Sequence, residues 1–373
     1  MRVLVTGGGT GGHVNPALAI ANTIKENIPD AEIAFVGTVR GLENELVPKA
    51  GYKLYHVDVR GIRRSLSLYN IRSLWLAAVS PVKAKKVIKE FKPDLVVGTG
   101  GYVSWPILVA ASRMNIPTAV HESNAVPGLA VRKLVPYVDR IFTNFAVSAE
   151  ILGKSGKVMQ VGCPMLGQFG NISRDEARER LGIKRDCKYV VSFGGSLGAA
   201  AMNEMALELM KDYVSGEPNV RYTHATGGDH YESVRERFLE AKLDRYENIE
   251  LLQYIYDMPL RMAAADLIIS RAGAITISEL ARQGKAAILI PSPNVTDDQQ
   301  TKNAKALADI GGACMIRETE LEGGKISRSV ASLLEDYERR AAMEKAISGF
   351  APLDSNKLIF DELMRLAKSR VNK

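Results

Sequence analysis

The sequence predicts an α/β protein made of two Rossmann-like, doubly wound domains facing across a cleft, and three observations carry that prediction. Short runs rich in Val and Ile alternate with longer helix-like segments almost throughout. The pattern restarts midway, where "KYVVSFGGSLGAAAMNEMALELM" (188–210) repeats the strand, glycine turn and helix of residues 2–24. The length of 373 residues exceeds one typical hydrophobic core and suits two domains of about 150–200 residues.

In the first half, "RVLVT", "EIAFVG", "DLVVGTG", "PTAVHE" and "RIFTNF" read as buried parallel strands, since runs this apolar have no face to turn to water. "NPALAIANTIKENI" and "SPVKAKKVIKEF" supply helices between them, and the linking turns carry Gly, Pro, Asn and Asp. This is the pattern of βαβ units closing into a doubly wound sheet. In the second half "DLIIS", "RAGAITISELARQG" and "KAAILIP" give a further strand–helix–strand. The boundary falls within 163–187, so the domains are set at 1–163 and 164–350. Residues 351–373, amphipathic through "NKLIFDELMRLAKSRVNK", are expected to form a closing helix that packs back on the first domain.

Composition narrows the class. Apolar residues make up 46% and charged residues 24%, ordinary for a globular protein. The run Val3–Val5 is too short for a signal-peptide core, and no apolar stretch approaches the length of a membrane span. Cys163, Cys187 and Cys314 are odd in number and far apart, which suits a reducing cytoplasm rather than a disulfide framework. The net charge of +7 is uneven: residues 1–160 hold 20 Lys/Arg against 11 Asp/Glu. Charge asymmetry of this kind bears on partners rather than on fold.

In sheets of this type ligands sit beyond the carboxyl ends of the strands, so the loops there carry the chemistry. "GGGTGGH" (7–13) matches G-x-G-x-x-G through Gly7, Gly9 and Gly12. A glycine turn opening a helix suits an anion, because backbone amides and the helix dipole converge there. A dinucleotide site would also want an acid at the end of the second strand. That strand ends in Gly37 and Thr38, with Glu32 before it and Glu43 beyond the turn, so the dinucleotide reading is set aside. His13 ends the loop; an imidazole held beside an anion site can take a proton from an attacking hydroxyl.

"GTGGYVS" (98–104), with Gly100 and Tyr102, is a third glycine turn of the first domain. "HESNAVPG" (121–128) brings His121, Glu122 and Asn124 to another strand end, where Glu122 either serves a ligand or only orients His121. In the second domain "SFGGSLGA" (192–199) can cradle a phosphate group, with the Ser196 hydroxyl as an added donor. Glu279 in "SRAGAITISEL" can grip a ribose diol. Asp298, Gln299 and Gln300 offer the mixed donors and acceptors that sugar hydroxyls need, although the same stretch reads equally as a capped helix start. No D-x-D and no His/Cys/Asp cluster at metal spacing occurs, so no obligatory metal or other bound cofactor is expected.

Taken together, "GGTGGHVNPALAIA" (8–21), "GTGGYVSWP" (98–106), "HESN" (121–124), "GGSLGA" (194–199), "SRAGAITISEL" (270–280) and "DDQQTKNA" (297–304) resemble the bacterial cell-wall transferases that add N-acetylglucosamine to undecaprenyl-pyrophosphoryl-N-acetylmuramoyl-pentapeptide. Six motifs in order, over essentially the whole chain, are far more specific than one glycine loop. The resemblance implies the glycosyltransferase-B fold and inverting transfer of GlcNAc from UDP-GlcNAc, a substrate, to the 4-hydroxyl of the lipid-linked acceptor. It implies that the second domain holds the donor: Ser196 at the diphosphate, the Ile255 backbone at the uracil, Glu279 at the ribose. Ala274, Ile275, Thr276, Ile277 and Ser278 would surround the phosphates, and Gln299 and Gln300 would take the GlcNAc hydroxyls. Thr10, Gly11, Gly12 and Asn124 would line the sugar and acceptor side, and His13 would be the base. Related readings are another UDP-sugar glycosyltransferase, a UDP-GlcNAc 2-epimerase of the same fold, or a non-catalytic nucleotide-sugar binding module. One motif departs: the family commonly has Asn-Pro-Val-Arg, and here Cys163 and Leu166 stand where its Asn and Arg would be.

A lipid-linked acceptor requires a membrane surface. Residues 60–92 hold nine Lys/Arg against the single acid Glu90, interleaved with apolar residues. Leu68, Ile71 and Trp75 are spaced helically, with Arg64 and Arg72 beside them. Near an anionic leaflet each basic group contributes about 1 kcal/mol. The same segment also reads as a solvated basic face over an ordinary core helix. With Gly100, Tyr102 and His121 it forms the expected acceptor and membrane side, on the cytoplasmic face of the cell membrane. Other cell-wall synthesis proteins are further expected partners; nucleic acid is not, as no recognised motif for it occurs.

Overall fold

A computed structural model describes residues 1–59, 68–153, 156–167, 169–195, 197–350, 352 and 354–371, giving the backbone alone for 68–79 and 370–371. The chain divides into two compact units, Met1–Leu166 with Ala351–Lys373, and Gly167–Phe350. Each is built around one all-parallel sheet.

Unit 1 holds seven strands: β1 (Arg2–Thr6), β2 (Glu32–Gly37), β3 (Lys53–His56), β4 (Leu95–Gly98), β5 (Thr118–Glu122), β6 (Arg140–Thr143) and β7 (Val158–Gln160). Their order is β3-β2-β1-β4-β5-β6-β7. The order reverses between β1 and β4, where Thr6 pairs with Gly98. Both strands are apolar on both faces: β4 is buried throughout, and Val3, Leu4 and Val5 have no exposure. Such residues can only lie between helix layers, each contributing about 1.5–3 kcal/mol relative to exposure. Helix α1 (Gly11–Asn27) leaves β1 directly through the glycine loop, and α2 (Glu43–Lys49) follows β2. The final helix, Ser355–Val371, adds Ile359 and Leu363 to the core formed by α1 and β1.

Unit 2 repeats the plan with six strands: β8 (Lys188–Phe193), β9 (Val220–Ala225), β10 (Ile249–Leu252), β11 (Leu267–Ser270), β12 (Ala287–Leu289) and β13 (Cys314–Met315), in the order β10-β9-β8-β11-β12-β13. Its reversal lies between β8 and β11, where Phe193 pairs with Ser270. A buried ion pair between Arg178 and Asp266 ties the helix Arg174–Arg180 to the β11 entry, and Asp266 also accepts the Tyr189 amide at 2.8 Å.

The basic segment is only partly described. Leu68–Phe91 is one helix that includes Pro81, so Leu68, Ile71, Arg72 and Trp75 lie on helical backbone; Arg64 falls outside the described residues. Among the described residues no helix is long and apolar enough to cross a membrane.

Candidate functional site

The carboxyl ends of β1 and β4 bring the loops 7–13 and 98–104 together. The Thr99 amide donates to the Thr6 carbonyl at 2.9 Å, and its hydroxyl donates to the His13 carbonyl at 2.7 Å. His13 sits in the first turn of α1, half-buried, with Nδ1 3.2 Å from the Gly8 carbonyl and 3.4 Å from the Thr10 hydroxyl. A carbonyl can only accept, so Nδ1 carries the proton and Nε2 keeps its lone pair. Gly100 and Gly101 lie against the ring with φ of +98° and +75°. A Cβ on Gly100 would stand 2.8 Å from the imidazole Cδ2, so this approach requires glycine. Desolvation lowers the imidazole below its ordinary pKa, with the Gly8 carbonyl and the Glu43 charge pulling the other way. Neutral imidazole is therefore the form present near pH 7. Thr10, Gly12 and Tyr102 are exposed around this ring, and Gly11 is partly so.

His121 departs from the expectation that it faces the acceptor. It has no exposure; Nε2 donates to the Gly162 carbonyl at 2.9 Å, and Nδ1 accepts from the Ser123 hydroxyl at 3.3 Å. Burial lowers it to about 4, so it is a neutral internal strut. Glu122 is buried beside it and accepts the amides of Asn124 and Gly128, both at 2.9 Å, which shapes the loop bearing Asn124. Glu122 thus orders its own loop rather than His121. Leu166, in the place of the family arginine, packs on the unit-1 core with Ile359 and Leu363.

Sequence reading missed one residue here. Glu43 is fully buried, and its carboxylate accepts the Gly9 amide at 2.8 Å and the Thr38 amide at 2.9 Å. An acid does reach the end of β2, but it is turned inward onto the loop instead of outward to a ribose. The signal was the two glycines before it, Gly37 and Gly41, which leave room for a carboxylate to fold back.

In unit 2 the loop after β8 turns on Gly195 and Gly198, with φ of +98° and +80°; Ser196 lies outside the described residues. Gly198 lies flat against the Thr226 carbonyl, where no Cβ fits. Below it runs a buried hydrogen-bond chain. The Tyr222 hydroxyl donates to Ser192 Oγ at 2.5 Å, Ser192 to His224 Nδ1 at 2.6 Å, His224 Nε2 to Asn203 Oδ1 at 2.9 Å, and Asn203 Nδ2 to the Thr226 carbonyl at 3.2 Å. Burial pushes His224 down to about 3, so this imidazole is neutral and fully engaged.

The helix Ala274–Gln283 starts just after β11. Only its first turn, Ala274, Ile275 and Thr276, can turn amides to an anion. The Ile277 amide already donates to Gly273 at 3.0 Å, Ser278 donates its hydroxyl to Ala274 at 2.9 Å, and both side chains are buried. Of the five residues expected around the phosphates, Ile277 and Ser278 thus have their side chains in the core. Glu279 is half-buried, and among the described residues no donor or cation reaches its carboxylate; desolvation alone raises it to about 8. Gln300 Oε1 accepts the Ala272 and Ser292 amides at 3.2 and 2.9 Å, so its carbonyl braces two strand-end loops and only its amide group is left for a sugar. Gln299 is partly exposed at the start of the next helix, and Ile255 is buried in the loop after β10 beside the exposed Tyr254 and Tyr256. Among the described residues no cluster of His, Cys, Asp or Glu is arranged to hold a metal ion.

Comparison with known proteins follows this division. The model of the glycosyltransferase family 28 N-terminal domain matches residues 3–143, and that of the C-terminal domain matches residues 189–358. The chain is 40% identical to the UDP-N-acetylglucosamine–N-acetylmuramyl-(pentapeptide) pyrophosphoryl-undecaprenol N-acetylglucosamine transferase of Acetivibrio thermocellus, over 99% of each chain. It is 41% identical to the enzyme of that name from Leuconostoc citreum, over 90% of each. Among solved structures it resembles MurG of Acinetobacter baumannii, at 28% identity and a TM-score of 0.78, covering 98% of this chain and 99% of that one. A UDP-GlcNAc 2-epimerase from Neisseria meningitidis, at 17% identity and 0.64 over 98% and 100%, shares the fold.

Proposed function

The chain belongs to glycosyltransferase family 28 and within it to the undecaprenol-linked N-acetylglucosamine transferases, and on that premise we propose how its residues divide the reaction. It is a UDP-GlcNAc-dependent glycosyltransferase of peptidoglycan synthesis and converts lipid I to lipid II. GlcNAc passes to the 4-hydroxyl of the lipid-linked muramoyl-pentapeptide with inversion. His13 Nε2 takes the proton of that hydroxyl as its oxygen attacks C1 opposite UDP. Unit 2 grips the donor: the loop 194–199, with Ser196, and the first turn of Ala274–Gln283 meet the diphosphate. The Ile255 backbone meets the uracil, Glu279 accepts from the ribose diol, and Gln299 with the Gln300 amide group binds the GlcNAc hydroxyls. Thr10, Gly11, Gly12, Asn124, Gly100 and Tyr102 line the acceptor side. The basic segment, through Arg64, Leu68, Ile71, Arg72 and Trp75, holds the protein peripherally at the cytoplasmic face of an anionic membrane. There it meets other cell-wall synthesis proteins. No bound metal takes part in this scheme.

The observation that carries the assignment of the base is the Gly8 carbonyl 3.2 Å from His13 Nδ1, which fixes the tautomer that leaves Nε2 with its lone pair beside a glycine-lined approach. The test is UDP release with UDP-GlcNAc and a short-chain lipid-linked muramoyl-pentapeptide, supplied together and singly. Release that needs both supports the reading. Consumption of UDP-GlcNAc alone points to an epimerase, and unaltered turnover in His13→Ala removes the base.

A further inference from the structure

Glu43 has no surface exposure, yet it directly follows the exposed residues 39–42 beyond the end of β2. The start of α2 swings it back beneath the opening glycine loop. Oε2 accepts the Gly9 amide at 2.8 Å; Oε1 accepts the Thr38 amide at 2.9 Å and lies 2.8 Å from the Thr38 hydroxyl. Glycines hollow out its place: a Cβ on Gly8 would stand 2.5 Å from Oε1, one on Gly37 2.6 Å from Glu43 Cγ, and one on Gly41 would collide with Oε2. Burying a carboxylate is unfavourable unless donors meet it, and each glycine adds chain entropy to be lost on folding. A loop that needed only a tether would reach one more cheaply with a surface Asn or Ser. The feature this arrangement controls is the Gly8–Gly9 peptide, whose Gly8 carbonyl accepts the hydrogen bond from His13 Nδ1.

We propose that Glu43 is a positioning residue for glycosyl transfer: by clamping Gly9 to the end of β2 it holds the Gly8 carbonyl on His13 Nδ1 and so keeps the proton-accepting lone pair on Nε2. This rests on the reading of His13 as the base. The ionisable group that acts on His13 is Glu43, from α2, while His13 in turn lowers His121, at the end of β5. The Glu43 charge raises the imidazole, so its removal lowers His13 further and moves the acid limb of the rate profile to lower pH.

The test is a double-mutant cycle on the full chain with UDP-GlcNAc and a short-chain lipid-linked muramoyl-pentapeptide. It uses wild type, Glu43→Gln, His13→Ala and the double variant, each checked by thermal melting. Glu43→Gln is expected to lower kcat by roughly tenfold to hundredfold, the range for a misplaced catalytic group. KM for UDP-GlcNAc should stay within about twofold, and the substitution should add nothing to the loss in His13→Ala, as groups acting as one unit behave. Should Glu43→Gln fail to fold, Thr38→Val loosens the other end of the clamp and keeps the charge. Its smaller fall in kcat should likewise vanish in the His13→Ala background. A wild-type kcat in Glu43→Gln, or a loss that persists undiminished without His13, overturns the proposal. A wild-type rate in His13→Ala overturns the base reading first, and the proposal with it.

Discussion

The two sheets share one plan, but their points of reversal are furnished in opposite ways. In unit 1 the carboxylate is committed to the protein: Glu43 is buried under the glycine loop, and the imidazole of His13 keeps a free lone pair. In unit 2 the imidazole is committed: His224 is locked in a chain of hydrogen bonds below its glycine loop, while among the described residues the Glu279 carboxyl group meets no donor. A neutral imidazole with one open nitrogen suits proton transfer; an unsatisfied carboxylate suits a diol. On the proposed assignment, one scaffold yields a reacting half and a gripping half by exchanging which titratable group is turned inward.

The comparison breaks first at His13. His13→Ala should lower kcat by about 10²–10⁴, the usual contribution of general-base catalysis, measured by UDP release with both substrates present. Glu279→Ala should act on the other half. KM for UDP-GlcNAc should rise by roughly tenfold to hundredfold with kcat nearly unchanged, as expected for the loss of two hydrogen bonds between the Glu279 carboxyl group and the ribose diol.

Smaller effects appear in stability against pH, and they have opposite signs. Glu279 is raised to about 8 in the folded chain, so between the ordinary carboxylate range and that value the unfolded chain releases its proton more readily. Stability of the ligand-free protein should therefore fall as pH rises through this window, and Glu279→Gln should flatten the fall by a few degrees in Tm. His121 and His224 are lowered to about 4 and about 3, so here the unfolded chain binds protons first. Their contribution is complete above the ordinary imidazole range and is lost as pH falls from about 6.5 towards 4. Melting curves over pH 4–9 on wild type and Glu279→Gln check both slopes.

The central strands of both sheets were legible in the sequence because they are continuous apolar runs ending in glycine-rich or polar turns; β3, β7, β9, β10 and β13, which are very short or carry polar residues among the apolar ones, were not. The loops were legible through those same turns. Contacts made by side chains that fold back were not. Glu43 reaches the end of β2 from a following helix, and no periodicity marks such a return. His121 reads as a ligand at a strand end, but its burial depends on Gly162, 41 residues away. Ile277 and Ser278 sit in a motif whose outer turn alone is accessible, which only the phase of the helix decides.

The division of labour is tested most directly by titrating UDP-GlcNAc calorimetrically into His13→Ala protein. The expected Kd lies within about twofold of wild type beside a turnover lowered by about two orders of magnitude or more. A Kd weakened in proportion to the lost turnover would contradict it, placing His13 in the grip on the donor and not in the chemistry.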